Sequence, residues 1–523
     1  MSSPARAVAT VEEPPLDDMW RLVEWRARRT PDRPFLSDDH GRELTFGAFA
    51  DAAERVAAGL ADLGVAAGTR VMWQLPTTLE AAVLSAALAR LGAVQNPVIP
   101  LFREAELRAL HTQFAPQLVV TTTSWRGFDH AEAIRAIVGP DVPVVVSDHL
   151  EAGRGLALPQ RSPVDLPPVV PSRGLRWVYT TSGSTGVPKG VKHSDASVIA
   201  TAATMVVMPV EPTDRFAVPF PYAHIGGAMW VAMCLQVGSR LILFDTFDPV
   251  ESPLRMSAHG VTLLGSATPF FLAYLAAQRA HPERRLFPKL RAVLGGGAGT
   301  PEHLDQVLRR ELGGRGLANG YGLTECPAVG YPDLDDEEGR RLSMWRPGPG
   351  VHVRVVSADG TECKVGEEGE LRLAGPQQFL GYLDPAMDSE AIDERGYVRT
   401  GDLAVIDERG RVRITGRLKE IIVRNGENIS MAEVEGVLAS HSALADVAVI
   451  AVPDPRAGER CCAVLALADG AVGPTLGELA EHCRAAGMAR HKSPEQIAFL
   501  EAIPRNAMGK VRRAELRASV LDG

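Results

Sequence analysis

The stretch Thr180-Thr181-Ser182-Gly183-Ser184-Thr185-Gly186-Val187-Pro188-Lys189-Gly190 decides how this chain is read. Small hydroxyl residues alternate with glycines, and the run ends in a lysine. That composition suits a loop that cradles phosphate: backbone N–H groups approach closely, hydroxyls donate, and the ammonium supplies charge. It is not a P-loop of the Walker type, because Pro188 replaces the required glycine and Gly190 the required Ser or Thr. A flexible linker has a similar composition. A linker, however, would not follow the strand-like Trp177-Val178-Tyr179 and close on Pro-Lys-Gly.

Outward from the loop, the large N-terminal part reads as alternating helices and strands. Phe49, Ala53, Val56, Leu60 and Leu63 mark one apolar helical face, and Gly64 follows as a stop. Arg70–Gln74 reads as a strand, Leu79–Leu91 as a helix closed by Gly92, and Ala93–Ile99 as extended. The short apolar runs Leu118–Val120, Val144–Val146, Val261–Leu264 and Ala292–Leu294 fit buried strands of a helix-covered sheet. The expected class is therefore α/β. Pro159–Pro171 and Arg346–Pro349 read as connections, and the acidic run Asp333–Glu338 as a solvated loop. After about residue 417 the texture changes. Ser430 with Glu433 and Thr475 with Glu478 fit capping boxes, and strand-like Val447–Val452, Ala463–Leu467 and Ile497–Leu500 alternate with those helices. A small α+β domain over 417–523 is expected after a large multi-subdomain domain over 1–416.

The 523 residues are 46% hydrophobic with a net charge of −9, and no basic block stands out, which argues against a nucleic-acid partner. No run reaches the length of a membrane-spanning helix. Met1–Pro15 lacks an apolar core, so it reads as a disordered tail rather than a signal peptide. Six cysteines without C-x-x-C spacing fit free thiols, and a cytoplasmic location is expected. Only seven of the 55 basic residues are lysine: Lys189, Lys192, Lys289, Lys364, Lys419, Lys492 and Lys510. A chain that uses arginine nearly everywhere draws attention to the positions where lysine stays.

Other segments add chemistry. In Asn319-Gly320-Tyr321-Gly322-Leu323-Thr324-Glu325 an aromatic between glycines suits stacking on a flat ring. The Thr-Glu pair suits a phosphate oxygen and a hard cation. Arg399-Thr400-Gly401-Asp402-Leu403 places a two-acceptor carboxylate that suits a vicinal diol. Gly416-Arg417-Leu418-Lys419-Glu420, Arg424-Asn425-Gly426-Glu427-Asn428 and Pro504-Arg505-Asn506-Ala507-Met508-Gly509-Lys510 follow in order.

Together with the first loop, these segments resemble the adenylate-forming superfamily, in its acyl-CoA synthetase branch, from about residue 30 to the C-terminus. The resemblance implies an ATP-dependent carboxylic acid–CoA ligase with Mg²⁺ and CoA, working through an acyl-adenylate and domain alternation. Thr181, Ser182, Gly183, Ser184, Thr185, Gly186 and Lys189 would meet the phosphates. Gly296, Gly297 and Ala298, with Asn319, Gly320, Tyr321 and Gly322, would line the adenine site. Thr324 would bind the α-phosphate, and Glu325 would help hold the metal. Asp402 and Arg417 would hold the nucleotide, and Lys419 would be the hinge of a mobile C-terminal domain. Gly426 and His224 would border the thiol passage. Lys510 would be the catalytic lysine, offsetting the repulsion between carboxylate and polyphosphate.

Tyr222, Gly226, Met229, Trp230, Phe270, Leu294, Ala328 and Val329 are acyl-pocket candidates by position. Being mostly apolar, they suit an uncharged medium-chain, alicyclic or aromatic acid. Asn96-Pro97-Val98-Ile99-Pro100 and Arg103-Glu104-Ala105-Glu106-Leu107 also resemble bacterial ligases for alicyclic and medium-chain acids. Three alternatives stay open: transfer to a carrier protein or an amine, a luciferase-type oxygenase, and a non-catalytic nucleotide-binding relative. A homodimer is compatible with all of them.

Overall fold

The computed structural model describes residues 13–148, 155–170, 174–182, 188–204, 210–297, 299–424, 427–454, 456, 458–506 and 509–521. Two sheets built on the same plan form the large domain. One is six-stranded, with the order Pro188–His193, Trp177–Ser182, Val94–Pro97, Arg70–Gln74, Leu118–Thr121 and Val144–Val146. Its neighbours are parallel except for the hairpin between Trp177–Ser182 and Pro188–His193. The other is seven-stranded, with the order Leu317–Asn319, Ala292–Gly295, Leu263–Ser266, Arg215–Val218, Arg240–Leu243, Pro34–Asp38 and Glu43–Thr45.

Alternation along the strands sets the layers, since successive side chains leave a strand on opposite faces. Val71 and Trp73 point into one core, and Met72 between them points into another. Phe216 and Val218 enter that same first core from the second sheet, while Ala217 faces away. The first core is therefore shared by both sheets. It is filled by helices Met19–Arg29, Phe46–Ala61, Leu79–Leu91 and Ile225–Val237. Leu79–Leu91 and Ile225–Leu235 are buried on every side, as their nearly unbroken apolar sequences require. Gly92 closes the first of these helices in the left-handed conformation, φ 71°.

A four-stranded antiparallel sheet follows, His352–Val356, Gly369–Ala374, Val398–Ile406 and Val412–Arg417. The C-terminal unit is a five-stranded sheet with a core on each face, carrying helices Met431–Leu438, Leu476–Ala485 and Arg513–Leu521.

Three local expectations are corrected. The strand expected at Val261–Leu264 runs from Leu263 to Ser266. The acidic run is not simply a solvated loop. Asp336 caps helix Glu337–Arg341, and Arg411, only 5% exposed, donates to Asp336, Glu338 and Asp407, each at 2.7 Å. A guanidinium taken this far out of water needs several carboxylates to offset its lost hydration. Thr475 and Glu478 form the complete capping box, with both reciprocal bonds present. Ser430 makes the forward half, accepting from the Glu433 amide at 3.3 Å. The Glu433 carboxylate turns instead to the Lys492 ammonium, at 2.7 and 2.8 Å.

Candidate active site

The strands that flank the glycine-rich segment, Trp177–Ser182 and Pro188–His193, pair as a hairpin at the edge of the six-stranded sheet. Thr181 pairs with Lys189 in its register, and Ser182 with Pro188. Gly183, Ser184, Thr185 and Gly186 lie outside the described residues, as do Ala298 and Gly426. The strand that leaves the loop, Pro188–His193, binds the segment 379–383. Leu380 N donates to Lys192 O at 2.8 Å, Lys192 N to Gly381 O at 3.0 Å and Leu383 N to Gly190 O at 2.8 Å.

Both elements grip the Thr324-Glu325 pair. His193 is fully buried and sits with Nε2 2.7 Å from the Thr324 carbonyl oxygen and Nδ1 3.0 Å from Ser197 Oγ. A carbonyl only accepts, so Nε2 carries the proton. Burial lowers the His193 pKa to about 4, against which the Thr324 bond works, so the ring is neutral at ordinary pH. Tyr382 donates its hydroxyl to Glu325 Oε1 at 2.7 Å, and the Phe379 amide donates to Glu325 O at 2.9 Å.

On the nucleotide side, Gly295 and Asn319 end adjacent parallel strands, the place where open α/β sheets bind ligands. Gly296 and Gly297 continue from the first of these strands, and Asn319 Nδ2 donates to Ser343 Oγ at 3.2 Å. Tyr321 stacks on Trp345 at 5.3 Å, with ring planes 2° apart, and donates to Asp402 Oδ2 at 2.5 Å. Arg417 Nε lies 2.6 Å from Asp402 Oδ1. Asp402 is only 4% exposed, so its charge rests on these two partners. Asp402 and Arg417 face each other across adjacent antiparallel strands.

The C-terminal unit brings Lys510 into this cluster. Its ammonium lies close enough to Arg417, Asp402, Glu325 and Glu420 to feel their charges. The side chain reaches solvent yet is walled by protein. Desolvation lowers its pKa, Arg417 adds to the lowering, and the three carboxylates oppose it. A side chain at Gly509 would meet Pro269 Cγ at 3.1 Å, so the lysine loop rests directly on helix Thr268–Ala280 of the large domain. Within that loop Asn506 N donates to Lys510 O at 2.8 Å, and Lys510 N to Asn506 Oδ1 at 3.0 Å.

His224 stands at the N-terminus of helix Ile225–Val237, with Nδ1 accepting from the Gly226 amide at 3.2 Å. Burial, and then the Lys510 charge, lower its pKa to about 4. Gly227 belongs to the same turn. A Cβ there would fall 2.1 Å from the Tyr222 carbonyl oxygen, so only glycine fits.

Lys419 lies just past strand Val412–Arg417, in a turn where Glu420 N donates to Arg417 O at 2.9 Å. Ser430 donates to Thr415 O at 3.0 Å across this junction. The acyl-pocket candidates separate. Tyr222, Met229, Trp230, Leu294 and Ala328 share the first core, where Trp230 stacks on Phe216 at 3.7 Å. Phe270 packs on Phe247 in the second core, and Val329 lies in a third with Trp345. Sequence reasoning missed His193, Tyr382 and Trp345. His193 ends the strand that leaves the loop, and Tyr382 follows a glycine, so both carried a faint signal. Trp345 carried none.

The chain belongs to the AMP-binding enzyme family. Residues 23–383 match the AMP-binding enzyme family and residues 433–510 its C-terminal domain. Within it, the chain is an enzyme of the AMP-forming acid–CoA ligase group. It is 32% identical to a medium-chain fatty-acid–CoA ligase of Escherichia coli, over 97% of this chain and 90% of that protein. It is 31% identical to a sulfoacetate–CoA ligase of Cupriavidus necator, over 97% and 99%. The structure of ATP-bound MatB from Rhodopseudomonas palustris superposes with a TM-score of 0.84, at 26% identity, over 96% of this chain and 99% of that one. No helix among the described residues is long and apolar enough to cross a membrane.

Proposed function

We propose that this enzyme joins an uncharged, apolar carboxylic acid (medium-chain, alicyclic or aromatic) to CoA, in two steps at one site. In the first, a carboxylate oxygen attacks the α-phosphorus of ATP, the bond to pyrophosphate breaks, and an acyl-adenylate forms. In the second, the CoA thiol gives up its proton and its sulfur attacks the acyl carbon, and the bond to AMP breaks. The reading is carried by the convergence of Lys510 from the C-terminal unit with Asp402, Arg417 and Glu325 of the large domain.

Each residue has a task in this scheme. Lys510 screens the two anions as they meet. Lys189 and the hydroxyls of the hairpin turn take the outer phosphates, and Thr324 takes the α-phosphate. Asp402, held by Tyr321 and Arg417, presents a fixed carboxylate to the ribose. Glu325 fits Mg²⁺, since Tyr382 engages Oε1 and leaves Oε2 as a hard oxygen donor. Bound there with phosphate oxygens, the ion would neutralise charge on the pyrophosphate leaving group. His224 is neutral and borders the lysine, which suits a gate rather than a second cation. For the second step the C-terminal unit turns about Lys419, withdraws Lys510 and presents Gly426 to the thiol.

A panel of carboxylic acids, scored by AMP release and by mass detection of the acyl-CoA, tests the reading. Turnover is expected with free CoA and neutral apolar acids. AMP release without acyl-CoA would point to a carrier-protein or amine acceptor. No AMP release with any acid would leave a nucleotide-binding protein.

A further inference from the structure

We propose that Tyr382 is a positioning residue that couples the phosphate-loop lysine to the metal-binding carboxylate, orienting Glu325 for Mg²⁺. The proposal rests on the ligase reading and deepens one part of it.

Tyr382 is held from three sides. Its backbone forms an isolated antiparallel bridge with Val191, on the strand that leaves the phosphate loop. Its amide donates to Asp388 Oδ1 at 2.7 Å. That contact requires Gly381, which has φ +100° and whose Cβ would lie 2.5 Å from Asp388 Oδ2. Its ring meets Phe379 edge-on at 5.1 Å. With the ring fixed, two polar contacts remain, and both point into the site. The hydroxyl donates to Glu325 Oε1 at 2.7 Å, and the Lys189 ammonium lies 5.5 Å from the ring centroid.

The chemistry allows only one polarity. An ionised carboxylate only accepts, so the Tyr382 hydroxyl is the donor. A hydrogen bond to a charged acceptor is stronger than a neutral one. It fixes which carboxylate oxygen faces inward, and a carboxylate already in place loses less side-chain freedom when the cation arrives. The aromatic face also holds the lysine on the same structural unit. Phosphate-side and metal-side groups are therefore tied together through this one residue.

The test is the Mg²⁺ dependence of ATP binding to the full chain, measured by calorimetry without any carboxylic acid. Tyr382→Phe keeps the ring and removes only the donor. It is expected to leave ATP affinity without Mg²⁺ within about twofold and to cut the Mg²⁺-dependent gain about fivefold or more. Glu325→Gln should remove most of that gain, and the double variant should add little beyond it, because the hydroxyl acts through the carboxylate. An unchanged Mg²⁺ dependence in Tyr382→Phe, or full additivity with Glu325→Gln, overturns the proposal. General destabilisation would lower affinity with and without Mg²⁺ alike and leave the cycle additive, which also counts against it. Because no acid is present, the outcome is independent of whether the wild-type chain turns over any acid.

Discussion

The floor and the lid of the active site are built on different principles. The floor (the hairpin 177–193, the segment 379–383 and the pair Thr324-Glu325) is knitted by backbone pairing and by two half-buried side-chain bonds, His193 to Thr324 and Tyr382 to Glu325. The lid, the C-terminal unit, meets the large domain at Lys510, at Gly509 on Pro269, at Ser430 on Thr415 and where Leu418 N donates to Gly401 O. The C-terminal unit also keeps two cores of its own. The comparison teaches that the floor is held by backbone pairing, whereas the lid brings its lysine in from a unit with separate cores.

The sharpest way to break the comparison is to strip the lid of its charge. Lys510→Ala is expected to lower acid-dependent pyrophosphate release about 1000-fold, the upper range for removing one group that stabilises developing charge. Thioester formation from pre-made acyl-adenylate should stay within a few-fold. Gly426→Trp is expected to do the reverse. Equal loss of both half-reactions in either variant would sink the division of labour between the two arrangements.

The floor should show itself in acid. His193 is neutral when folded, its pKa lowered from 6.5 to about 4. Between those values the unfolded chain binds the proton and the folded one does not. Its contribution is therefore complete above pH 6.5 and is lost as pH falls towards 4. The shift corresponds to about 3 kcal/mol at the acid end. His193→Gln retains a donor for Thr324 O without a titrating group, and thermal melts across this range should show a shallower acid decline. An unaltered slope would mean that the ring charges without cost and that the floor is looser than its bonding indicates.

The smallest effect probes the junction. Ser430 both caps helix Met431–Leu438 and donates to Thr415 across the hinge. Ser430→Asp keeps an acceptor for the cap and removes the donor. It should lower adenylation relative to thioester formation about 2–10-fold, the span of a single net hydrogen bond. A ratio that stays put would show that this bond does not favour the adenylating arrangement.

Much of this architecture was legible beforehand. The strand at Trp177-Val178-Tyr179, the helix ended by Gly92 and the Thr475 box follow from local chemistry that a few neighbouring residues complete. The acidic run was misread because its partner, Arg411, lies some 70 residues away, and charge along a sequence does not reveal a guanidinium from another strand. Trp345 was missed for the same reason, since only folding stacks it on Tyr321. Lys492, one of the seven lysines, gained a partner in Glu433, 59 positions distant. Proximity in space across long separations leaves no periodicity to read.

The sequence by itself determined the α/β class, the two-part division and the order of the phosphate loop, the Thr-Glu pair, Asp402, Arg417 and Lys510, because motif spacing and hydrophobic patterning are local properties of the chain. Only the tertiary structure decided that His193 and Tyr382 grip the Thr-Glu pair and that Asp402 sits between Tyr321 and Arg417. It alone places Lys510 in the cleft, with its pKa lowered. Those facts depend on desolvation and on bonds between distant residues. Both come into being only when the chain excludes water and closes on itself.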